Sequence, residues 1–230
     1  MEKKLDLADL LQRFSTKVLW HFTGYAKDDI VAYNKLKSIV ESQTLRLTEH
    51  PEPVIMAGGE RRWVYSYSCM CDIPFKDLRI HTIRYGKCGI AFNRNKAIQF
   101  GQFNPVLYIH KDNPLFKKVS EILPEIDKLI EPHDILQRKV TGFLALLGTF
   151  VKRSDLTANI AIGDIEVDKE QNNNFYYERE WRSAVEWKFT KVDVEAIMIP
   201  GNQFNDIKSL LEKNGFEDTP IISYEMIEKF

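Results

Sequence analysis

The sequence predicts an α+β fold, a mixed and largely antiparallel sheet with a helical pair inserted at about residues 112–152. Three observations predict it. Short runs rich in β-branched and aromatic residues lie towards both ends of the chain, from Val18 to Cys71 and from Tyr176 to Tyr224. Between them, Leu115 to Val151 repeats apolar residues at helical spacing. The chain has 230 residues, 44% hydrophobic and 12% aromatic, and no internal repeat, which suits one domain spanning 1–230 with a real core.

Taken in order, Leu5, Leu7, Leu10 and Leu11 predict a short capping helix, and Val18 to Thr23 a strand that stops at Gly24. Asp29 to Glu41 carries Ile30, Val31, Tyr33, Leu36, Ile39 and Val40 as a helix, and Thr44 to Thr48 alternates as the second strand. His50 to Arg62 holds Pro51, Pro53 and Gly58-Gly59 and predicts a loop or flap. Trp63 to Cys71, Cys88 to Phe92 and Pro105 to Ile109 predict strands, with a short helix at Asn95 to Phe100. Two helices follow, from Leu115 to Ile130 behind Pro114 and from about Asp134 to Val151. A polar turn at Asp168 to Asn174 leads to strands at Tyr176 to Val185 and Val194 to Ile199, a helix at Phe204 to Lys213 and a final strand at Pro220 to Tyr224.

Charge and composition narrow the function classes. A formal net charge of -1 gives no overall basic footprint, so a nucleic acid partner needs a local patch. Cys69, Cys71 and Cys88 are an odd number; Cys69-Met70-Cys71 is CxC and matches no standard zinc spacing, so buried strand thiols are expected and no metal. No run reaches about 18 apolar residues, and Met1 to Asp6 is followed by no apolar leader. A cytoplasmic protein without a membrane partner is expected.

The run Tyr177-Glu178-Arg179-Glu180-Trp181-Arg182 offers the chemistry. On a strand, Glu178 and Glu180 share one face, and two close carboxylates raise at least one pKa. The alternative is a charged edge strand with Arg179 and Arg182 as ion-pair partners. His21, Phe22 and Thr23 at the end of the first strand can hydrogen-bond a ribose or carboxamide, or His21 can be a satisfied core residue. Arg46 can hold a pyrophosphate by bidentate contact or be an exposed strand arginine, and Tyr85 can stack on a nicotinamide or a base or be a core aromatic. Gly86 and Gly89 permit close backbone approach, without a phosphate-loop pattern.

Trp20-His21-Phe22-Thr23, Cys71-Asp72-Ile73-Pro74, the His81 to Phe92 block, Asn104 to Tyr108 and Tyr177 to Arg182 together resemble the abortive-infection AbiGi family of phage-resistance proteins. That resemblance implies an antitoxin-like role in phage defence. The order of elements also resembles ADP-ribosyltransferase-like toxins of the DarT group, in which an early His-x-Thr strand precedes a helix and a late strand carries the acid. This second resemblance lacks a Ser-Thr-Ser after a middle strand. It implies an ADP-ribosyltransferase fold with NAD as cofactor, held by His21, Phe22, Thr23, Arg46 and Tyr85, with Glu180 as catalytic acid and Glu178 as its helper.

Two main readings therefore stay open. One is an effector of abortive infection that transfers ADP-ribose from NAD to a nucleic acid or protein, with NAD hydrolysis as its variant. There a carboxylate steadies an oxocarbenium-like sugar. The other is a non-catalytic antitoxin or sensor that binds a cognate toxin or phage component.

Overall fold

A computed structural model describes residues 16–24, 28–53, 62–110, 112–115, 117–118, 121, 135–153 and 178–227. The elements are β1 (Val18–Phe22), α1 (Asp29–Ser42), β2 (Thr44–Leu45), β3 (Thr48–Pro53), β4 (Arg62–Cys71), α2 (Leu78–Tyr85), β5 (Gly89–Asn93) and α3 (Arg94–Gln99). They continue with β6 (Asn104–Pro105), β7 (Leu107–Ile109), α4 (Ile135–Thr149), β8 (Val151–Arg153), β9 (Glu180–Ser183), β10 (Trp187–Lys188), β11 (Val194–Ile199), α5 (Phe204–Lys213), β12 (Ile221–Ser223) and α6 (Tyr224–Ile227).

The main sheet runs β12-β11-β5-β1-β4-β9-β6, and β3 pairs with the N-terminal part of β4. Among the described strands of this sheet, β11 and β12 pair in parallel and the other pairs are antiparallel. Two small ladders stand beside it, antiparallel β10–β2 and parallel β7–β8. The fold is α+β with a mixed, largely antiparallel sheet.

The alternation of β1 divides the core. Leu19, with Met70, Ile90, Phe92, Ile197 and Ile199, lies on the face covered by α1 and α5 through Leu36, Val40, Ile207 and Leu211. Trp20, with Cys71, Ala91, Ala196 and Met198, lies on the opposite face under Leu78, Tyr224 and Ile227. Helix α1 starts where the Asp28 carboxylate accepts from the amides of Ile30 and Val31, and it ends at Gln43, whose φ is 48°. It buries Ala32, Tyr33, Leu36 and Val40, one helical stripe.

Several boundaries differ from the sequence reading. Thr44 to Thr48 is not one strand: the chain leaves β2 at Leu45 and starts β3 at Thr48, so His50 to Pro53, expected in a loop, is paired with β4. Pro51 and Pro53 are tolerated because β3 lies at the sheet margin, paired on one side only. Pro105 to Ile109 splits into β6 on the main sheet and β7 against β8. Of the expected strand at Tyr176 to Val185, the described residues begin at Glu178 and are strand at Glu180–Ser183; Glu178 lies before it, and Arg179 turns the chain with φ 43°. The capping helix at 5–12, the glycine-rich stretch 54–61, most of the helix at 115–130 and the turn at 168–174 lie outside the described residues. The second inserted helix is present as α4, and Gly148 in its last turn leaves room for the Tyr65 ring of β4.

Candidate functional site

Glu178 and Glu180 do meet, but not by strand alternation. The turn at Arg179 brings Glu178 back beside Glu180, and Lys152 of β8 joins them, its Nζ 2.8 Å from Glu178 Oε2 and 3.1 Å from Glu180 Oε2. Glu178 Oε1 accepts from Arg84 Nη1 at 2.6 Å and from the Tyr85 hydroxyl. Glu180 accepts from Arg182 twice, Nε to Oε1 at 2.8 Å and Nη2 to Oε2 at 3.1 Å. The cluster is buried: Glu178 is 3% exposed, Glu180 8% and Arg182 0%. Every carboxylate oxygen of the pair therefore has a donor, five of the six donations coming from the cations Arg84 of α2, Lys152 of β8 and Arg182 of β9.

Burial works to raise the Glu180 pKa, but the charges of Arg182 and then Lys152, with their hydrogen bonds, bring it down to about 2. Glu180 is an anion at neutral pH. Tyr108 of β7 accepts the Glu180 amide at 3.2 Å, and burial followed by the Glu180 charge raises its phenol pKa. For Tyr85, burial first and then the Glu178 charge do the same. Arg179, the expected edge-strand partner, turns instead to Asp72 at 3.5 Å, and β9 is no edge, since β4 and β6 flank it.

The other candidate residues lie apart from this cluster or face away from it. Trp20 pairs in register with Cys71, and Cys71 with Glu180, so Trp20 and Glu180 share a face. His21 pairs with Ile90 and points to the opposite face. Its Nδ1 lies 2.7 Å from the carbonyl oxygen of Cys69, which makes Nδ1 the protonated nitrogen. Burial lowers the His21 pKa against that hydrogen bond, and Lys35 adds to the lowering. The Thr23 hydroxyl donates to the Ala32 carbonyl at 2.7 Å, tying the end of β1 to α1. Arg46 is exposed between β2 and β3. Phe22 and Tyr85 do approach the Glu178 side: His81 lies between them, its ring centroid 5.1 Å from Phe22 and 4.5 Å from Tyr85.

For NAD, the fit is poor in this arrangement. The proposed ribose edge, His21 and Thr23, does not face Glu180, and the Glu180 oxygens are held by Arg182 and Lys152. Among the described residues, no group of three or more His, Cys, Asp or Glu side chains is placed to hold a metal ion. No described helix is long and apolar enough to cross a membrane.

Sequence reasoning missed Arg84 and Lys152 as partners of Glu178 and Glu180, whereas His81 opens the His81 to Phe92 block that it singled out. Arg84 adjoins the candidate Tyr85, and that adjacency was the available signal. Lys152 had none, because Lys152-Arg153 after an apolar helix reads as ordinary basic residues at a helix C-terminus. His81 is 5% exposed, with no hydrogen-bond partner at Nδ1 among the described residues; burial and then Arg84 press its pKa down to about 3.

Fold and site together define an α+β sheet protein with a buried ion-pair cluster joining α2, β8 and β9. The profile of one family, described as "Putative abortive phage resistance protein AbiGi, antitoxin", matches residues 61–215, which include this cluster. The chain belongs to that family, whose description points to a role in abortive phage resistance. No curated protein and no solved structure gives a significant match, so the expected likeness to an ADP-ribosyltransferase fold gains no support from known structures.

Proposed function

We propose that the chain is an antitoxin that works by binding, forming a complex in the cytoplasm with a growth-inhibiting protein partner. The observation that carries this reading is the saturation of Glu178 and Glu180 by Arg84, Lys152, Arg182 and Tyr85 in a buried site. A carboxylate that stabilises a cationic sugar needs a free face towards the substrate. Here that face is taken by protein cations. The cluster acts instead as a staple that fixes α2 and β8 on the sheet, as a rigid binding scaffold requires. The family description supports the same reading, because an antitoxin acts on a partner rather than on a metabolite.

The test is co-expression with each product of the genes flanking its own, scored for growth inhibition alone and for relief by this chain. Restored plating, with the two proteins recovered as one complex, supports binding. NAD consumption by the purified chain, lost in Glu180→Gln, overturns it in favour of ADP-ribose chemistry.

A further inference from the structure

On the face of the molecule carrying β10 and α3, a groove of about 700 Å³ opens between Phe100, which ends α3, and the turn at Val192. Trp187 forms its floor and is 3% exposed. The floor is rigid, because the Trp187 ring is packed against Phe92 at 5.0 Å, Phe103 at 6.1 Å and Phe189 at 6.1 Å between centroids. Gly101 makes the close seating of α3 possible: a Cβ there would stand 2.8 Å from Phe103 and 2.9 Å from Trp187. The far wall is equally fixed, since Asp193 closes a capping box on Thr190.

The walls are apolar side chains left in solvent. Phe100 is 52% exposed and Val192 69%. Large exposed apolar side chains gathered round a rigid pocket mark a contact surface rather than a random scatter. Two lysines complete it. Lys96 holds its Nζ 5.1 Å from the Phe100 ring centroid, and Lys188 is exposed at the rim; neither pairs with a carboxylate among the described residues. The carboxylate of Asp193 is turned inward onto Thr190, which leaves Glu186 as the acid at the lip.

We propose that this groove seats an extended, acidic segment of the protein partner, with one large apolar side chain over Trp187 and flanking carboxylates on Lys96 and Lys188. The assignment rests on the binding reading above. A protein segment suits the groove better than a single nucleic acid strand: Glu186 repels a regular phosphate chain, whereas a peptide can place its acids clear of it.

The experiment uses the co-expression assay with Phe100→Ser combined with Lys188→Glu, with Lys188→Glu alone as the milder variant. Both positions are exposed, and matched thermal melts check the fold. Met226→Ser, at an exposed position on α6, is the control. The expected result is rescue by wild type and control, and a loss of plating of at least about tenfold in the double variant, as for an interface hot spot. Equal rescue by the double variant overturns the groove and leaves the binding reading standing; failure of wild type overturns both. A direct probe accompanies it, amide-shift titration with acetyl-Glu-Leu-Phe-Glu-amide and, separately, a twelve-residue oligothymidylate. Shifts at Thr190 and Val192 with the peptide support the proposal. Shifts there with the oligothymidylate alone, or with neither, overturn it.

Discussion

Arg182 grips Glu180 from two residues along the same strand, through Nε at 2.8 Å and Nη2 at 3.1 Å. Its remaining reach is also used: Nη1 donates to the Thr149 carbonyl at 2.9 Å, and the guanidinium lies 4.0 Å from the Tyr67 ring centroid. A fully buried arginine is tolerable only with such compensation. Glu180 is thereby a structural counter-ion, and the consequences for stability follow from that role.

Glu180→Ala leaves Arg182 buried without its carboxylate and is expected to cost about 3–5 kcal/mol. Urea denaturation measures it as a lower midpoint at unchanged slope. Replacing both members, Glu180→Leu with Arg182→Met, is expected to recover much of the loss, because removing a buried pair costs less than breaking it. A double variant no more stable than Glu180→Ala would refute the counter-ion role.

Tyr85→Phe removes one neutral donor from Glu178 but leaves Arg84 and Lys152 in place. The expected cost is about 2 kcal/mol, that of a hydrogen bond to a charged group. The same denaturation series reads it. A reduction in partner binding without a change in stability would place Tyr85 in the interface instead.

Stability is expected to decline in acid in two stages. His81 has its folded pKa lowered to about 3 from its ordinary 6.5, so folding favours the neutral ring. Its contribution is full above pH 6.5 and is lost at up to about 1.4 kcal/mol per pH unit as pH falls towards 3. Glu180, lowered to about 2 from 4.5, keeps its contribution above pH 4.5 and loses it as pH falls through 2. His21, also lowered, adds to the first stage. Chemical denaturation of His81→Asn across pH 4.5–7 is expected to show a shallower decline than wild type; an unchanged slope would contradict the assignment.

Two glycines separate backbone contact from helix propensity. At Gly24 a Cβ would stand 2.6 Å from the Tyr85 carbonyl oxygen and 3.1 Å from Gly86 Cα, and Gly86 itself has φ 81°. Gly24→Ala must push apart the end of β1 and the turn after α2, at about 1–3 kcal/mol. Gly142 in α4 has open space around it, so Gly142→Ala is expected to stabilise by about 0.5–1 kcal/mol. Thermal melts of both variants check the pair of opposite signs.

Local periodicity made much of the fold legible. The strand at β1, helix α1, strands β5 and β11 and helix α5 all carry their own pattern and lie within a residue or two of expectation. The candidate site was legible only in part. The spacing puts Glu178 and Glu180 on one strand face, whereas the turn at Arg179 is what brings them together, and their partners could not be read at all: Arg84 is 94 residues from Glu178, and Lys152 is 26. The alternation Trp20-His21 says that these two residues take opposite faces, yet which of them shares Glu180's face depends on the register of β1 and β9 against β4. The positive φ at Arg179 is a backbone choice driven by tertiary pairing, since no glycine or asparagine marks it in the sequence.

The central claim is that the chain acts by holding a partner, with Glu178 and Glu180 as parts of its frame. The most direct measurement mixes the purified chain with the purified growth-inhibiting partner identified by that co-expression, in the absence of NAD, and follows size-exclusion elution together with the partner's activity. Co-elution at a fixed ratio with loss of that activity is the predicted result. Separate elution, with inhibition only after NAD is added and a mass gain on the partner matching an ADP-ribosyl group, would contradict it.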